Sequence, residues 1–258
     1  MPTVHAHTHD LYVTVDGPTD APVLLLSGSL GSRLEMWDRL LPHLTPTRRV
    51  VRYDLRGHGR STTPPGAWTV TDLADDIAAI LDHLQIERAD LAGISLGGQT
   101  ALAFALRHPD RLDRLVVANT GARIGSVESW TDRATTVREL GLDAIADTVI
   151  DGWLTPPFAA AHPEIRAALR ESFLAADPAG YAACCMSLAH TDLRPQLAEI
   201  AAPTLVIASP GDKGTTTEVL RVIADGVPHA TYAEVPGAHL TAVESPDEFA
   251  AAVLAHLA

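Results

Sequence analysis

The stretch LAGISLGGQT, residues 91–100, places Ser95 between two glycines in a G-x-S-x-G pattern. Small neighbours are required where a serine occupies a tight, strained turn between a strand and a helix, and such a turn presents the hydroxyl for nucleophilic attack. The hydroxyl becomes a nucleophile only with a general base and a carboxylate that orients the base. Because glycine-rich turns that contain serine are common, the prediction of a nucleophile depends on those partners.

Two loops further along the chain supply candidates for the base and the carboxylate. Asp212 follows the apolar run PTLVIAS and His239 follows the run ATYAEV, so both lie where a strand is expected to end. The order serine, acid, histidine is typical of chains in which such a turn carries the nucleophile. A turn aspartate and an ordinary loop histidine are the alternative interpretations. The competing position for the acid, after the run RLVVA, holds Asn119, which favours Asp212.

An oxyanion formed during acyl transfer needs two N–H donors. The N–H of Leu96, directly after the serine, is expected to be one of them. The second is expected in the loop SGSLGS, where we assign the N–H of Ser29; a plain flexible turn is the alternative.

Short apolar runs with β-branched residues alternate along the chain with amphipathic segments. Strands are predicted over residues 11–15, 22–27, 49–55, 88–94, 112–119, 203–209 and 230–235, the first two as neighbours. Helices are predicted over residues 71–84, with Thr71 as N-cap, and over 96–109 and 246–258. This alternation is typical of an α/β fold, in which helices cover both faces of a mostly parallel sheet.

The alternation stops between residues 121 and 196, where only helical patterns occur. An all-helical insertion between two core strands would lie over the carboxyl ends of the strands, where α/β folds bind ligands. We therefore predict a core domain of residues 1–120 and 197–258 and a helical cap of residues 121–196.

The composition argues against several classes of partner. A formal net charge of −13 repels nucleic acid and anionic membranes, and an anionic small substrate would need a local cation. No apolar run approaches the roughly 18 residues of a membrane span, and the N-terminus lacks the features of a signal peptide. The adjacent Cys184 and Cys185 do not suit a relaxed disulfide and are expected to pack inside the cap. We predict a cytoplasmic protein with a small-molecule substrate; the sequence indicates no oligomeric state.

Three further features are interpreted without a catalytic role. His5, His7 and His9 would share one face of an extended strand, as some zinc ligands do, but no matching carboxylate–histidine continuation follows. A frayed N-terminus is therefore the preferred interpretation. His58, in the run DLRGHGRS, is expected to belong to a structural turn, and Lys213 is interpreted as a surface charge.

The run GISLGGQTALAFALRHPDRLDRLVVANT resembles the nucleophile region of many α/β-hydrolases. Other stretches resemble one group of them, the 3-oxoadipate enol-lactonases. These stretches are SGSLGSRLEMWD (27–38), NTGARIGSVESWTDR (119–133), LDAIADTVIDGWLTPPF (142–158) and GYAACCMSLAHTDLR (180–194). The last three lie in the predicted cap, which diverges most between hydrolases of this fold. The resemblance covers almost the whole chain after residue 10.

This resemblance implies an α/β-hydrolase fold with Ser95, Asp212 and His239 as the catalytic triad. The sequence differs from the family pattern in two places. Gly28 stands where the family often has Asn, and the acid loop lacks the proline of the usual D-x-x-T-P. These departures bear on the substrate rather than on the triad.

The resemblance also implies substrate-binding residues in the cap. Trp130 and Arg133 match the family's W-x-x-R, and Trp153 matches its W-[FL]-T-P. Arg133 is the candidate for binding a substrate carboxylate, with bracing of the cap as the alternative. For the two tryptophans, packing within the cap is the alternative.

The implied substrate is 3-oxoadipate enol-lactone, a five-membered unsaturated lactone with a free carboxylate from aromatic catabolism, and no metal or organic cofactor is expected. A carboxylesterase or cofactor-free haloperoxidase-like hydrolase would use the same triad on another small ester or lactone, so substrate preference separates these functions. A non-catalytic ligand receptor on the same fold is the third alternative, which turnover of the ligand would exclude.

Overall fold

The computed structural model describes residues 3–258, in which eight strands form one sheet. The strands are β1 (Thr3–Ala6), β2 (His9–Asp16), β3 (Val23–Ser27), β4 (Arg49–Tyr53), β5 (Ala89–Ile94), β6 (Leu112–Ala118), β7 (Thr204–Ala208) and β8 (Ala230–Glu234). Their order across the sheet is β1-β2-β4-β3-β5-β6-β7-β8. The pairs β1–β2 and β2–β4 are antiparallel, and all other neighbours are parallel. The predicted α/β fold with a mostly parallel sheet is thus confirmed.

Helices lie between most of the strands. They are α1 (Leu41–Leu44), α2 (Val70–His83), α3 (Leu96–Arg107), α4 (Val127–Leu140), α5 (Asp143–Trp153), α6 (Pro156–Ala161), α7 (Pro163–Leu174), α8 (Pro178–His190), α9 (Thr217–Gly226), α10 (Thr241–Glu244) and α11 (Pro246–Leu257). Short 3₁₀ segments cover Leu34–Leu40, Pro109–Arg111 and Arg194–Glu199.

The central strands are buried on both faces. Every residue of β5 and of β7 is buried, as expected of parallel strands that helices cover on both sides. Because β3, β5, β6, β7 and β8 run parallel side by side, their carboxyl ends meet at one edge of the sheet. The loops that follow these strands are therefore neighbours in space although they are far apart in the chain.

Five helices, α4 to α8, follow β6 and precede β7, which is where the sequence predicts helices only. This helical region is fastened to the core at Gly57 and Gly180, whose backbones approach so closely that a Cβ on Gly57 would lie 2.6 Å from the Gly180 Cα. The Asp177 N–H donates to the Gly57 carbonyl (3.1 Å) beside this contact. The division of the chain into a core domain and a cap domain remains a prediction; we call residues 121–196 the cap below.

The N-terminal segment differs from the expectation of a frayed end. Strands β1 and β2 form an antiparallel hairpin, so the three histidines do not lie on one strand. His5 is exposed on β1 and pairs with Asp10 (2.8 Å), His7 lies in the turn with φ of 52°, and His9 is buried on β2. The three histidines would share one face only if the strand were continuous, and the turn at His7 interrupts it.

Two local predictions are also corrected. Strand β2 pairs with β4 and not with β3, because β4 inserts between them. Helix α2 is capped by Thr69 and not by Thr71: the Thr69 hydroxyl accepts from the Asp72 N–H, and the Asp72 carboxylate accepts from the Thr69 N–H, in a reciprocal capping box.

Cys184 and Cys185 are fully buried free thiols on α8, as predicted for residues packed inside the cap. Over residues 3–258, none of the helices combines the length and the apolarity that a membrane crossing requires.

Candidate active site

Ser95 lies at the turn between β5 and α3, with the backbone angles φ 59° and ψ −121°. A positive φ is uncommon for a residue other than glycine and costs energy that surrounding contacts must offset. Here the Ser95 N–H donates to the Ala118 carbonyl (3.1 Å), and the Thr120 hydroxyl donates to the Ser95 carbonyl (2.6 Å). The strained turn is therefore stabilised by hydrogen bonds to the end of β6 and to the loop that follows it.

The glycines around Ser95 are required by close backbone approaches. A Cβ on Gly93 would lie 2.2 Å from the Gly97 carbonyl oxygen, and a Cβ on Gly97 would lie 2.1 Å from the Ser27 carbonyl oxygen. No side chain fits at these distances. The G-x-S-x-G pattern is therefore explained by the packing of the turn on itself at Gly93 and against the end of β3 at Gly97.

Replacing Gly97 with alanine is expected to destabilise the protein by about 1–3 kcal/mol, because the new methyl group must displace the Ser27 backbone. This corresponds to a fall in melting temperature of roughly 2–4 °C per kcal/mol, measurable by calorimetry. Gly152→Ala is the matched control, since a Cβ there meets no atom within 4 Å on the helix α5. Equal melting temperatures for the two variants would contradict this explanation of the pattern.

Asp212 and His239 form a hydrogen-bonded pair whose carboxylate is buried and whose imidazole is partly exposed. The His239 Nδ1 lies 2.8 Å from the Asp212 Oδ2, and the two side chains are 14% and 0% exposed. An ionised carboxylate accepts hydrogen bonds only, so the Nδ1 carries the proton and donates it to Asp212. This tautomer leaves the Nε2 of His239 free to accept a proton, which is what a general base requires.

The Asp212 carboxylate is held by its own loop. Its Oδ1 accepts from the N–H groups of Gly214 (2.9 Å) and Thr215 (3.1 Å), and its Oδ2 accepts from the Thr215 hydroxyl (2.6 Å). Burial by itself would raise the pKa of Asp212, but the hydrogen bonds from His239 and Thr215 outweigh it and lower the pKa from 3.8 to about 2. The carboxylate is therefore ionised at neutral pH.

Asn119 is a further contact of this carboxylate that sequence reasoning missed. Its Nδ2 donates to the Asp212 Oδ2 at 3.2 Å and also lies 3.4 Å from the Ala238 carbonyl oxygen, in the loop that carries His239. The position of Asn119 at the end of β6 could have indicated this contact, because a carboxylate at the same position is the alternative to Asp212 as the acid. Asn119 supplies a hydrogen-bond donor to the acid instead.

The two predicted oxyanion donors belong to the serine turn itself and to the loop after β3, where Ser29 lines the same cavity as Ser95. Leu96 is the first residue of α3, so its N–H is one of the donors that a helix leaves without an intrahelical acceptor. The Ser29 N–H, in the loop after β3, donates to the Met36 Sδ at 3.4 Å. A thioether sulfur is a weak acceptor, so an oxyanion would compete for this N–H effectively. The oxyanion role of both donors remains a proposal.

His58 supports the same loop from the core. Its Nε2 accepts from the Gly31 N–H (2.8 Å), and its Nδ1 donates to the Arg56 carbonyl (3.0 Å), which fixes a neutral imidazole. Complete burial lowers the pKa of His58 and favours this neutral form. The prediction of a structural turn at His58 is confirmed, and its structural task includes the loop that contains Ser29.

A cavity of about 230 Å³ lies between the carboxyl edge of the sheet and the cap, and Ser95, Asp212 and His239 all line it. In the part of the chain that the structure describes, no hydrogen bond joins the Ser95 hydroxyl to His239. Such bonds are often long in unliganded enzymes and tighten with substrate, so proton transfer between these two side chains is part of the proposal below.

The three cap residues singled out in the sequence also line this cavity. The Trp130 Nε1 donates to the Ile124 carbonyl (2.6 Å), and the Arg133 guanidinium lies 4.9 Å from the centre of the Trp130 ring. Trp153 is 4% exposed and packs edge-on against Phe173. Trp130 and Trp153 thus both pack within the cap and face the cavity.

Two further polar side chains reach the cavity. The Tyr181 hydroxyl is buried beside the Arg133 guanidinium and lacks a well-formed hydrogen bond to any described residue. Lys213, interpreted from the sequence as a surface charge, is exposed but also lines the cavity. Within residues 3–258 neither Arg133 nor Lys213 has a carboxylate partner within 4.0 Å. The cavity therefore has two cations that no carboxylate of the described chain neutralises.

The sheet, the strained serine turn and the buried histidine–carboxylate pair define a class of protein, the α/β hydrolases. A family model described as alpha/beta hydrolase fold matches residues 21–149. The chain is 41% identical to 3-oxoadipate enol-lactonase 2 of Acinetobacter baylyi over 92% of this chain and 89% of that protein. The crystal structure of the enol-lactonase from Burkholderia xenovorans superposes with a TM-score of 0.97 at 38% identity, covering 99% of both chains.

A thermophilic esterase from Thermogutta terrifontis, solved with malate bound, superposes with a TM-score of 0.91 at 31% identity and covers 99% of this chain and 96% of that chain. The chain belongs to the α/β-hydrolase family and, within it, to the 3-oxoadipate enol-lactonases. The family and the fold expected from the sequence are confirmed.

Proposed function

We propose that this protein hydrolyses 3-oxoadipate enol-lactone to 3-oxoadipate through a Ser95–His239–Asp212 triad. The observation that carries the proposal is the cavity, which is lined both by Ser95 and His239 and by Arg133, an arginine without a carboxylate partner among the described residues. A small lactone with a carboxylate side chain suits this combination. The names of the relatives in Acinetobacter baylyi and Burkholderia xenovorans support this substrate.

The reaction begins when the Ser95 hydroxyl attacks the lactone carbonyl and the His239 Nε2 takes the hydroxyl proton. Asp212 holds the imidazole and stabilises the cation that forms. The N–H groups of Leu96 and Ser29 stabilise the oxyanion, and removal of one such donor typically costs ~3 kcal/mol of transition-state stabilisation. When the tetrahedral intermediate collapses, the ring C–O bond breaks and the oxygen leaves as an enolate.

An enolate is a better leaving group than an alkoxide, so proton donation by the His239 cation is less demanding in this step than in the hydrolysis of an alkyl ester. Water then attacks the acyl-enzyme while His239 again takes a proton, and Ser95 is regenerated. The released enol converts to the ketone, which draws the reaction towards product. Apart from the attacking water, the catalytic groups in each step are side chains and backbone N–H groups of this chain.

The substrate carboxylate is proposed to bind Arg133. Burying a carboxylate against apolar walls is costly unless a cation or hydrogen-bond donors compensate it, and a guanidinium can bind it through two parallel hydrogen bonds. The Tyr181 hydroxyl beside Arg133 offers a further donor. The cation–π contact of Arg133 with the Trp130 ring (4.9 Å) favours this position of the guanidinium.

Replacing Arg133 with alanine is therefore expected to raise KM for the acidic lactone by roughly tenfold to a hundredfold, as for the loss of a charged hydrogen bond of 1.5–3 kcal/mol, while leaving neutral esters unaffected. Steady-state kinetics on the lactone and on p-nitrophenyl acetate measure this difference. Arg138→Ala, an exposed position on the same helix, is the matched control. Equal losses on both substrates would overturn the binding role, and a raised KM in Lys213→Met alone would move the carboxylate to Lys213.

A carboxylesterase activity is the second candidate, favoured by the similarity to the esterase from Thermogutta terrifontis. The two functions are separated by comparing kcat/KM for the acidic enol-lactone with that for its methyl ester, which carries no charge. A clear preference for the acid supports the lactonase. A preference for the methyl ester would favour the esterase and remove the role of Arg133.

A place in the catabolism of aromatic compounds and a cytoplasmic location belong to the same proposal. The adjacent free thiols of Cys184 and Cys185 support a reducing compartment.

A further inference from the structure

His239 lies in a short loop whose peptide group on one side is bound by the cap and on the other side by Glu244 of α10. The Leu240 N–H, which follows His239, donates to the Trp153 carbonyl at 2.9 Å. The Ala238 N–H, which precedes it, donates to the Glu244 Oε1 at 2.7 Å. Trp153 is the last residue of α5, so one of the two acceptors is part of the cap itself.

The other acceptor, Glu244, is bound to the cap through two more hydrogen bonds. Its Oε1 accepts from the Thr155 N–H at 3.1 Å, and its Oε2 accepts from the Thr155 hydroxyl at 2.6 Å. Among residues 3–258 no Lys, Arg or His side chain forms an ion pair with Glu244. The Glu244 carboxylate therefore accepts hydrogen bonds from the loop of His239 and from the cap at Thr155, and it links these two segments.

The same corner of the cap, residues 153–155, also touches the loop of the acid. A Cβ on Gly211 would lie 3.2 Å from the Thr155 Cγ2, and the Gly211 N–H donates to the Gly237 carbonyl at 2.9 Å. The loops that carry Asp212 and His239 are thus packed together against one short segment of the cap.

We propose that Glu244 is a positioning residue that couples this corner of the cap to His239. The proposal depends on the role of His239 as general base, proposed above. The direction of the imidazole is set by the backbone on either side of His239, and a displacement of about 1 Å at a reacting group can cost about a hundredfold in rate. Glu244 therefore makes the reactivity of Ser95 depend on where the cap lies, for every substrate and not only for those that touch the cap.

The test uses diisopropyl fluorophosphate, a small neutral reagent that phosphorylates a base-activated serine. Glu244→Met keeps the length of the side chain and removes both acceptor atoms, and we expect it to lower the second-order rate constant for labelling by about tenfold to a hundredfold. Glu244→Gln keeps an oxygen for the two N–H groups and an amide that can donate to the Thr155 hydroxyl, so it should stay within a few-fold of the wild type. Glu248→Gln, an exposed position on α11, is the control.

Thr155 provides a second pair of variants. Thr155→Val removes only the hydroxyl and should slow labelling severalfold, whereas Thr155→Ser restores the hydroxyl and the rate. The kcat for p-nitrophenyl acetate should fall with the labelling rate while its KM stays unchanged. In addition, the proton resonance of the His239 Nδ1–H should shift or broaden in Glu244→Met, a change that loss of global stability alone would not produce in a folded sample.

The outcomes separate this proposal from the one on which it depends. If the wild-type protein is not labelled and does not turn over ester or lactone, the proposed function is wrong. If the wild type is labelled and Glu244→Met and Thr155→Val are folded and labelled at the wild-type rate, the coupling through Glu244 is wrong while the proposed function stands.

Discussion

Replacement of Ser95 by alanine should lower kcat for the enol-lactone by about 10⁴- to 10⁶-fold, because no other group can form the acyl-enzyme. The same loss is expected for p-nitrophenyl acetate, and the variant should form no covalent adduct with diisopropyl fluorophosphate by intact-protein mass spectrometry. The effect is larger than that of any cap variant because Ser95 carries the covalent step, whereas cap residues contribute to binding and positioning.

The melting temperature separates this chemical effect from a folding defect. Serine and alanine carry the same Cβ, so the positive φ at position 95 is equally strained in both, and the melting temperature should change little while activity is lost. Ser187→Ala, whose buried hydroxyl lacks a hydrogen-bond partner among the described residues, is the matched control and should retain activity. A Ser95→Ala protein with more than a few per cent of wild-type turnover would contradict the role of nucleophile.

Replacement of Asp212 by asparagine should lower kcat by roughly 10⁴-fold with little change in KM. An asparagine amide has one acceptor oxygen where the carboxylate accepts from His239, Thr215 and Asn119 together. If the amide NH₂ faces the imidazole, the His239 Nδ1 must become an acceptor, and its Nε2 then carries the proton and no longer serves as a base.

The pH dependence of this loss follows from the pKa of Asp212. Its folded value of about 2 lies below the ordinary 3.8, so the carboxylate is fully ionised at any pH above 3.8 and contributes its stabilisation there. This contribution is lost only as the pH falls through about 2. The ratio of wild-type to Asp212→Asn activity should therefore show no titration of Asp212 in any assay run above pH 3.8.

Asp225→Asn, at an exposed position on α9, is the control for the change of charge and should retain wild-type kcat. Asp212→Asn with wild-type kcat would show that His239 is oriented by another group.

The positions of Ser95, Asp212 and His239 could be predicted because each follows a strand within a few residues, and parallel strands bring such loops to one edge. Short-range patterns were sufficient for this part of the site. Cys184 and His58 were likewise assigned to structural positions from their immediate surroundings, and both are buried.

Contacts between distant segments could not be predicted in the same way. Glu244 and Asn119 gain their roles from hydrogen bonds to residues 89 and 93 positions away, which no local pattern encodes. The antiparallel pairing of β2 with β4 depends on the arrangement of the whole sheet. The N-terminal hairpin was missed because the alternating histidines fit one extended strand as well as two strands joined by a turn at His7.

The most direct test of the proposed activity is to mix purified protein with 3-oxoadipate enol-lactone and follow the loss of the ultraviolet absorbance of the lactone. We expect rapid loss with wild-type protein, loss at the uncatalysed rate with Ser95→Ala, and much slower cleavage of p-nitrophenyl acetate by the wild type. Rapid cleavage of p-nitrophenyl acetate with no loss of the lactone would contradict the proposed substrate while leaving Ser95 as the nucleophile of an esterase.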